Sequence, residues 1–397
     1  MEVWFLEIIK AIGRLFLHPL LYFSILLVIV AGMLRVKRER KDFHVRVQDT
    51  LHELKHLFPL GIITGIILSI VAVGVGFTMP LPFIIMIGAI TILFSLIGNA
   101  RLLSPALTIG VTLLIVSASK LFEFNVPLID DVPSLHQYYF IGLALFLAIL
   151  TLTEGFFMLK NGQVDISPKL RKSRRGLTVG AHQAKRFWFL PIFFFIPTGP
   201  ISPSLDWWPV IEWGTQSYSL ILVPFLLGFQ HQIQSTLPQR AIHRLSKHVL
   251  LLGVVLTIVA ASGFFFPTII PLVVAVIAIM GRLWIAYQHR VEENATLYYF
   301  TPQNKGIMVL DVIPGSPAHK MGLKTGEIIE SCNGRKVNNK QDLYMALLVN
   351  RAYCKLEVFD VNGEIRFLQR ALYESDHHEL GILFIEERAK RETVDAG

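Results

Sequence analysis

The sequence predicts a polytopic α-helical membrane body of about eight or nine spans followed by a small C-terminal α+β domain, and three observations carry that prediction. The 397 residues are 53% hydrophobic and only 17% charged, with 28 phenylalanines, more apolar matter than a soluble core of this size encloses. Apolar stretches long enough to cross a bilayer recur through the first 288 residues. The last hundred change character, to short alternating runs punctuated by Gly, Pro and Asn-Gly pairs. The expected division is therefore residues 1–288 for the membrane body, 289–388 for the small domain and 389–397 for a polar, disordered tail.

Five spans are read at Leu15–Leu34, Leu57–Thr78, Phe83–Gly98, Leu102–Ser119 and Tyr138–Met158. Leu15–Leu34 is followed by basic residues and no small-residue cleavage site, so it reads as a retained span and not as a signal peptide. Four weaker spans follow. Phe187–Pro200 is short and interrupted by Pro191 and Pro197, Val210–Gln230 contains Pro224, and Val249–Gln288 is long enough to fold as two spans turning at Phe266-Pro267. If Phe187–Pro200 re-enters the membrane, or if Met1–Leu34 is misread, the count falls to eight.

Loop charge orients the body, because Lys and Arg are retained on the cytoplasmic side. Arg35 to Lys55 holds seven basic residues, Lys160 to Arg186 holds eight with the single acid Asp165, and Arg240, Arg244 and Lys247 mark a third basic loop. Alternate loops carry Glu123, Asp130 and Asp131, or Asp206 and Glu212 beside the interface-seeking Trp207 and Trp208. Nine spans then place the N-terminus outside and the C-terminal domain in the cytoplasm; eight place both termini inside. The net charge of +8 is mostly this orientation signal, spread over several loops, and it excludes a nucleic-acid reading. The run Arg171-Lys172-Ser173-Arg174-Arg175 is suited to anionic lipid, although it reads equally as a plain topogenic loop. Cys332 and Cys354 are the two cysteines, too few for a disulfide framework or a Cys-based metal site.

In the C-terminal domain, Gly306 to Ile313 alternates as a strand, Pro317-Ala318 opens a one-turn helix that Gly322 closes, and Glu327 to Cys332 forms a second strand. Asn333-Gly334 and Asn362-Gly363 are hairpin signals, Asp342 to Asn350 has helical spacing, and Tyr353–Phe359 and Glu364–Leu372 flank the second turn as strands. The spacing V-x-P-G-S-P-A, G-L-x-x-G-E, N-G, D-L resembles bacterial PDZ domains over about 80 residues. That resemblance implies a partly open β-barrel with two helices. Its sheet edge would accept an extended peptide, and a glycine-containing loop would hold the peptide's terminal carboxylate.

Two segments compete for that loop. Tyr298-Tyr299-Phe300 precedes the first strand but lacks the glycine, whereas Leu380-Gly381-Ile382 has the right form and implies a circularly permuted strand order. The second is preferred; it also reads as an added edge strand. Leu343 and Leu347, one helical turn apart, are candidates for the groove wall and equally for the core.

His52-Glu53-Leu54-Lys55-His56 is a literal H-E-x-x-H, with two histidines on one helical face and Glu53 placed as a general base. With a PDZ-like domain it raises a site-two type intramembrane metalloprotease. Against this, the motif lies in a basic stretch before a span, Pro59 follows it, and no third ligand is evident, since Glu154 and Glu212 are the downstream acids of the spans. Glu154 reads as reaching headgroups from near the cytoplasmic end of its span. No metal, cofactor or catalytic residue is therefore expected. A transporter is the other alternative, weakened by the lack of buried charge and of internal repeats.

Over most of its length the chain resembles the MinJ family of cell-division topological determinants, through FLHPL around His18, RVKRERKDF from Arg35 to Phe43, and DHHELGILF from Asp376 to Phe384 before the C-terminus. The resemblance implies a multi-pass cell-membrane scaffold, enriched at septa and poles. It would link a DivIVA-like pole and septum marker to the MinC–MinD division inhibitor, with no enzymatic activity, nucleic acid or small-molecule substrate.

Overall fold

The computed structural model describes residues 2–123, 137–173, 175–201, 217–303, 305–350, 352–372 and 380–385. The acids Asp130, Asp131, Asp206 and Glu212, the pair Trp207-Trp208, Arg174, the stretch Asp376–Glu379 and the tail 389–397 lie outside the described residues.

The body opens with α1 (Glu2–Leu17), α2 (Pro19–Phe43), the short α3 (His52–Leu57), α4 (Pro59–Val75), α5 (Leu81–Leu96), α6 (Pro105–Phe122) and α7 (Gln137–Asn161). Pro19, Pro59 and Pro105 each stand at a helix's first position, where the missing N–H has no intrahelical partner to lose. A three-stranded sheet follows, β1 (Ser167–Lys172), β2 (Thr178–Ile201) and β3 (Tyr218–Ile233), in that spatial order, and then α8 (Pro238–Ala261) and α9 (Ile270–Ala295). Among the described residues six helices are long and apolar enough to cross a membrane: α2, α3 with α4, α6, α7, α8 and α9. The 16-residue α5 is apolar but shorter. Residues 262–269, beginning with a short 3-10 turn over Ser262–Phe264, separate α8 from α9, so the turn lies at Phe266-Pro267 as expected.

Two expected spans are not helices. Phe187–Pro200 falls within β2 and the described part of Val210–Gln230 falls within β3, paired antiparallel from His182↔Ile233 to Pro197↔Tyr218. The physical reason is burial on both faces. On one face Phe146 packs against Phe194 and Phe225, 5.1 Å from each; on the other, Phe187, Phe189 and Leu226 pack with Leu21, Val28 and Leu57, and Phe58 meets Phe189 at 5.5 Å. A strand covered on both sides is a continuous apolar run, which periodicity cannot tell from a span.

Such a hairpin needs its edges closed. On the β2 side α4 presents Gly61, Gly65 and Ser69, one helical turn apart. A Cβ at Gly61 would collide with the Phe189 carbonyl oxygen and one at Gly65 with that of Pro191, so only glycine admits this approach. Ser69 Oγ accepts the Phe193 N–H at 2.9 Å, and Phe195 exchanges backbone bonds with Phe77 (3.1 Å) and Met79 (2.9 Å). The N–H groups of Phe193 and Phe195 thus point away from β3. Pro191, in the same alternation, occupies an edge-facing position where no ladder donor is lost, and its register partner is Pro224. On the β3 side Arg14 donates to Leu220 O at 3.3 Å and Arg101 to Gln230 O at 2.5 Å. The far side of α4 exposes Ile63, Ile66, Ile67 and Ile70, each more than half accessible, a surface suited to lipid.

Residues 35–55, 160–186 and 240–247 gather at the end that carries the C-terminal domain, while α1 lies at the other, where Trp4 meets Phe195 edge-on.

The C-terminal domain contains β4 (Ile307–Val312), α10 (Pro317–Met321), β5 (Ile328–Cys332), β6 (Arg335–Lys336), α11 (Lys340–Val349), β7 (Tyr353–Phe359), β8 (Ile365–Ala371) and β9 (Ile382–Phe384). The sheet runs β8-β7-β5-β4-β9, with β6 on β5, so the last strand in sequence lies beside the first. Asn333 and Gly334 both take positive φ (49° and 79°), as a two-residue hairpin turn requires. Val309, Ile329, Leu356, Val358 and both buried thiols, Cys332 and Cys354, fill its core.

The domain is seated on the end of the three-stranded sheet. Gly180 N–H donates to Phe300 O (2.9 Å), Tyr299 N–H to Gln234 O (2.9 Å), and the Glu293 carboxylate accepts the N–H groups of Gln234 (2.6 Å) and Ser235 (2.9 Å). Leu237, Phe300, Met308 and Leu310 form the apolar seam.

Candidate functional site

Strand β9 ends the sheet of the C-terminal domain, with β4 on one side and no strand on the other among the described residues. Its approach is set by Leu380-Gly381. Leu380 O accepts the Ala318 N–H at 3.0 Å and Gly381 O accepts the Ile313 N–H at 2.8 Å. A trans peptide directs its N–H opposite its carbonyl, so the N–H groups of Gly381 and Ile382 face away from α10 and β4. Two neighbouring amide donors at the head of an edge strand form a cradle for an anion. Gly381 has φ +76°, and a Cβ there would collide with Ser316. The glycine is thus fixed by the fold as well as by any ligand.

The helix α11 flanks this edge, capped by Asn339, whose side chain accepts the Asp342 N–H at 2.8 Å. Leu343 is directed into the core at 4% exposure, and Leu347 is half-buried against that core. A cleft of about 500 Å³ runs between the start of α11 (Lys340, Gln341), Phe384-Ile385 and Thr301–Gln303. The competing segment Tyr298-Tyr299-Phe300 is occupied elsewhere. Phe300 is fully buried against Gly180 and Leu310, in the seam between domain and body.

At the same end, the H-E-x-x-H residues lie on α3. Glu53 is buried and bound by Arg35, whose Nε and Nη2 donate to its two oxygens at 2.5 and 3.2 Å. Arg35 Nη1 also reaches Glu39, which accepts from Ser167 Oγ at 2.7 Å and Val47 N–H at 3.0 Å. This network ties α2, α3 and β1 together. Sequence reading found no third ligand among the acids of the spans; the fold brings an acid from outside them to the histidines, Asp165, whose Oδ2 lies 3.2 Å from His52 Nε2 and 3.6 Å from His56 Nε2. The acid comes from the loop after α7, over a hundred residues away in sequence, where spacing could not reveal it.

A second correction concerns Glu154. It does not reach headgroups; it is fully buried on α7, accepting from Arg282 of α9 at 2.8 Å and from Ser104 Oγ at 2.5 Å. Arg282 is itself 2% exposed, a buried cation that sequence reading passed over because it sits among apolar residues near the end of a span. The two charges and the serine form a closed set, as a polar group at that depth requires.

Comparison with known proteins agrees with this architecture. A family described as PDZ domain matches residues 308–354. The chain is 37% identical over 394 residues to the cell division topological determinant MinJ of Bacillus subtilis (strain 168), covering 99% of both chains. It is 26% identical over 363 residues to the probable cell division topological determinant MinJ of Lacticaseibacillus paracasei, covering 89% of this chain and 92% of the relative. A local likeness, 34% over 68 residues, links it to a probable periplasmic serine endoprotease DegP-like of Chlamydia pneumoniae, covering 17% of this chain and 14% of that one.

Proposed function

Because the chain belongs to the MinJ family of cell division topological determinants, we propose that it is a membrane scaffold of division-site selection, joining a DivIVA-like marker of poles and septa to the MinC–MinD inhibitor by protein–protein contacts. The observation that carries this reading is the likeness to the Bacillus subtilis determinant across 99% of both chains, together with a PDZ domain whose edge strand β9 is open. The PDZ domain and the basic loops share one end of the molecule, and the positive-inside rule puts that end in the cytoplasm, where both partners reside. A partner's C-terminus adds as a strand on β9, its carboxylate on the N–H groups of Gly381 and Ile382 and its side chains against α11 near Leu347. The segment Leu380-Gly381-Ile382 is the recognition loop.

The protein acts without catalysis. Glu53, the residue that would serve a metalloprotease as general base, gives both oxygens to Arg35, and Glu154 and Arg282 neutralise each other instead of lining a transport path. The test is a fluorescent fusion in growing cells. It should gather at septa and poles and disperse when the DivIVA-like protein is removed, and the MinD-like protein should leave the septum when this chain is removed. A uniform membrane distribution with MinD placement unchanged would overturn the reading.

A further inference from the structure

We propose that His52, His56 and Asp165 form a binding site for a divalent transition ion, zinc by the chemistry of the donors, that locks α3 to the loop between α7 and β1. The three donor atoms lie within 4.8 Å of one another, and among the described residues this is the group of His, Cys, Asp and Glu side chains arranged to hold a metal. The two histidine–aspartate separations agree with coordination. Zinc bonds to imidazole nitrogen and carboxylate oxygen of about 2.0–2.2 Å give tetrahedral edges of roughly 3.3–3.5 Å, and the observed Nε2 to Oδ2 distances are 3.2 and 3.6 Å. The His52–Asp165 contact is also an ion pair when the imidazole is protonated; what favours an ion is that a second imidazole, His56, meets the same carboxylate oxygen.

The surroundings hold the donors in place. His52 and His56 share one face of α3, with ring centroids 4.7 Å apart, so both reach toward Asp165. Asp165 adopts φ +49°, a backbone form uncommon for aspartate, and Arg186 braces it by donating to the backbone carbonyls of Val164 and Asp165. That leaves the carboxylate turned to the histidines. All three side chains are partly accessible (18%, 27% and 32%), so water can complete a four-coordinate shell. With Glu53 held by Arg35, the ion has no general base beside it. Its role is structural: it fixes the start of α4, the helix whose glycines close the edge of β2.

The experiment uses the full chain in detergent, stripped with chelator and titrated with Co²⁺ and then Zn²⁺. One equivalent of Co²⁺ should develop the visible ligand-field bands of a four-coordinate nitrogen–oxygen site, Zn²⁺ should displace it, and Zn²⁺ should raise the unfolding temperature. Asp165→Asn and His56→Gln should each abolish the bands, while Glu53→Gln should retain them. If the histidine variant fails to fold, Asp165→Asn, which preserves size and polarity, carries the test, with elution as a single species as its control. Absence of stoichiometric binding by the unaltered chain overturns the proposal, and so does undiminished binding by Asp165→Asn, which would place the ion on other histidines.

Discussion

The molecule holds two β-sheets that treat their edges in opposite ways. The hairpin β2–β3 lies inside an apolar body, and its outer backbone groups are met by Ser69, Phe77 and Met79 on one side and by Arg14 and Arg101 on the other. The PDZ sheet ends in β9, with no strand beyond it among the described residues. Where no water is available every peptide group must find a partner within the protein, so the first sheet is sealed. Where water can serve until a peptide arrives, an edge can be kept open, and recognition becomes possible.

The largest expected effect breaks the sealed side. Gly65→Val should cost about 5 kcal/mol or more, because its Cβ meets the Pro191 carbonyl and α4 can retreat only by uncovering β2. Loss of monodisperse protein from detergent extracts checks this; a stable Gly65→Val protein would mean that the contact between α4 and β2 is loose.

On the open side, Gly381→Val meets both a positive φ and the Ser316 side chain, so a loss of about 2–5 kcal/mol is expected. Peptide binding and folding would then fail together, which makes this substitution a poor probe of the groove. Leu347→Ala is the sharper one: half-buried, it should weaken partner binding while melting of the full chain changes little. Unchanged partner affinity would remove α11 from the recognition surface.

Ser69→Ala tests the seal by a single bond. It leaves the Phe193 N–H without its side-chain acceptor and should cost about 1–3 kcal/mol, read as a lower unfolding temperature and faster amide exchange at Phe193. Exchange unaltered at Phe193 would show that the edge is closed by packing alone.

The contrast also decides what sequence could reveal. The PDZ elements were legible because their signals are local: Gly322 takes φ 82° at the end of α10, and Asn333-Gly334 turns β5 into β6. The hairpin was not, because FWFLPIFFFIP is apolar at every position and reads as a poor helix until both of its faces are known to be covered. Pro191 and Pro197 were the available signal, read as breaks in a span when at least Pro191 marks an edge-facing strand position. Glu154 with Arg282, and the histidines with Asp165, pair residues 128 and roughly 110 positions apart, a relation that belongs to the fold and not to any motif. At Leu380-Gly381-Ile382 the glycine was legible as that of a candidate carboxylate loop, but its positive φ and its clash with Ser316 were not.

The smallest effect concerns how firmly the open edge is attached. Asp311 lies on β4 opposite Leu383 of β9, where the register shifts, and its Oδ1 accepts from Val312 N–H (2.8 Å) and Thr325 Oγ1 (3.2 Å). Burial pushes its carboxyl up to about 7 despite those two hydrogen bonds. The folded value thus exceeds the ordinary 3.8, so the native state holds a proton that the unfolded chain releases. The resulting stabilisation is complete below about pH 4 and is lost progressively as pH rises to about 7. Amide protection of residues 380–385 in the full-length protein, corrected for intrinsic exchange, should therefore fall between pH 5 and pH 7.5, and Asp311→Asn should flatten that dependence. Equal protection at the two pH values in the unaltered chain would mean that Asp311 does not change its protonation state over this range or that its charge does not govern how firmly β9 is held to the sheet.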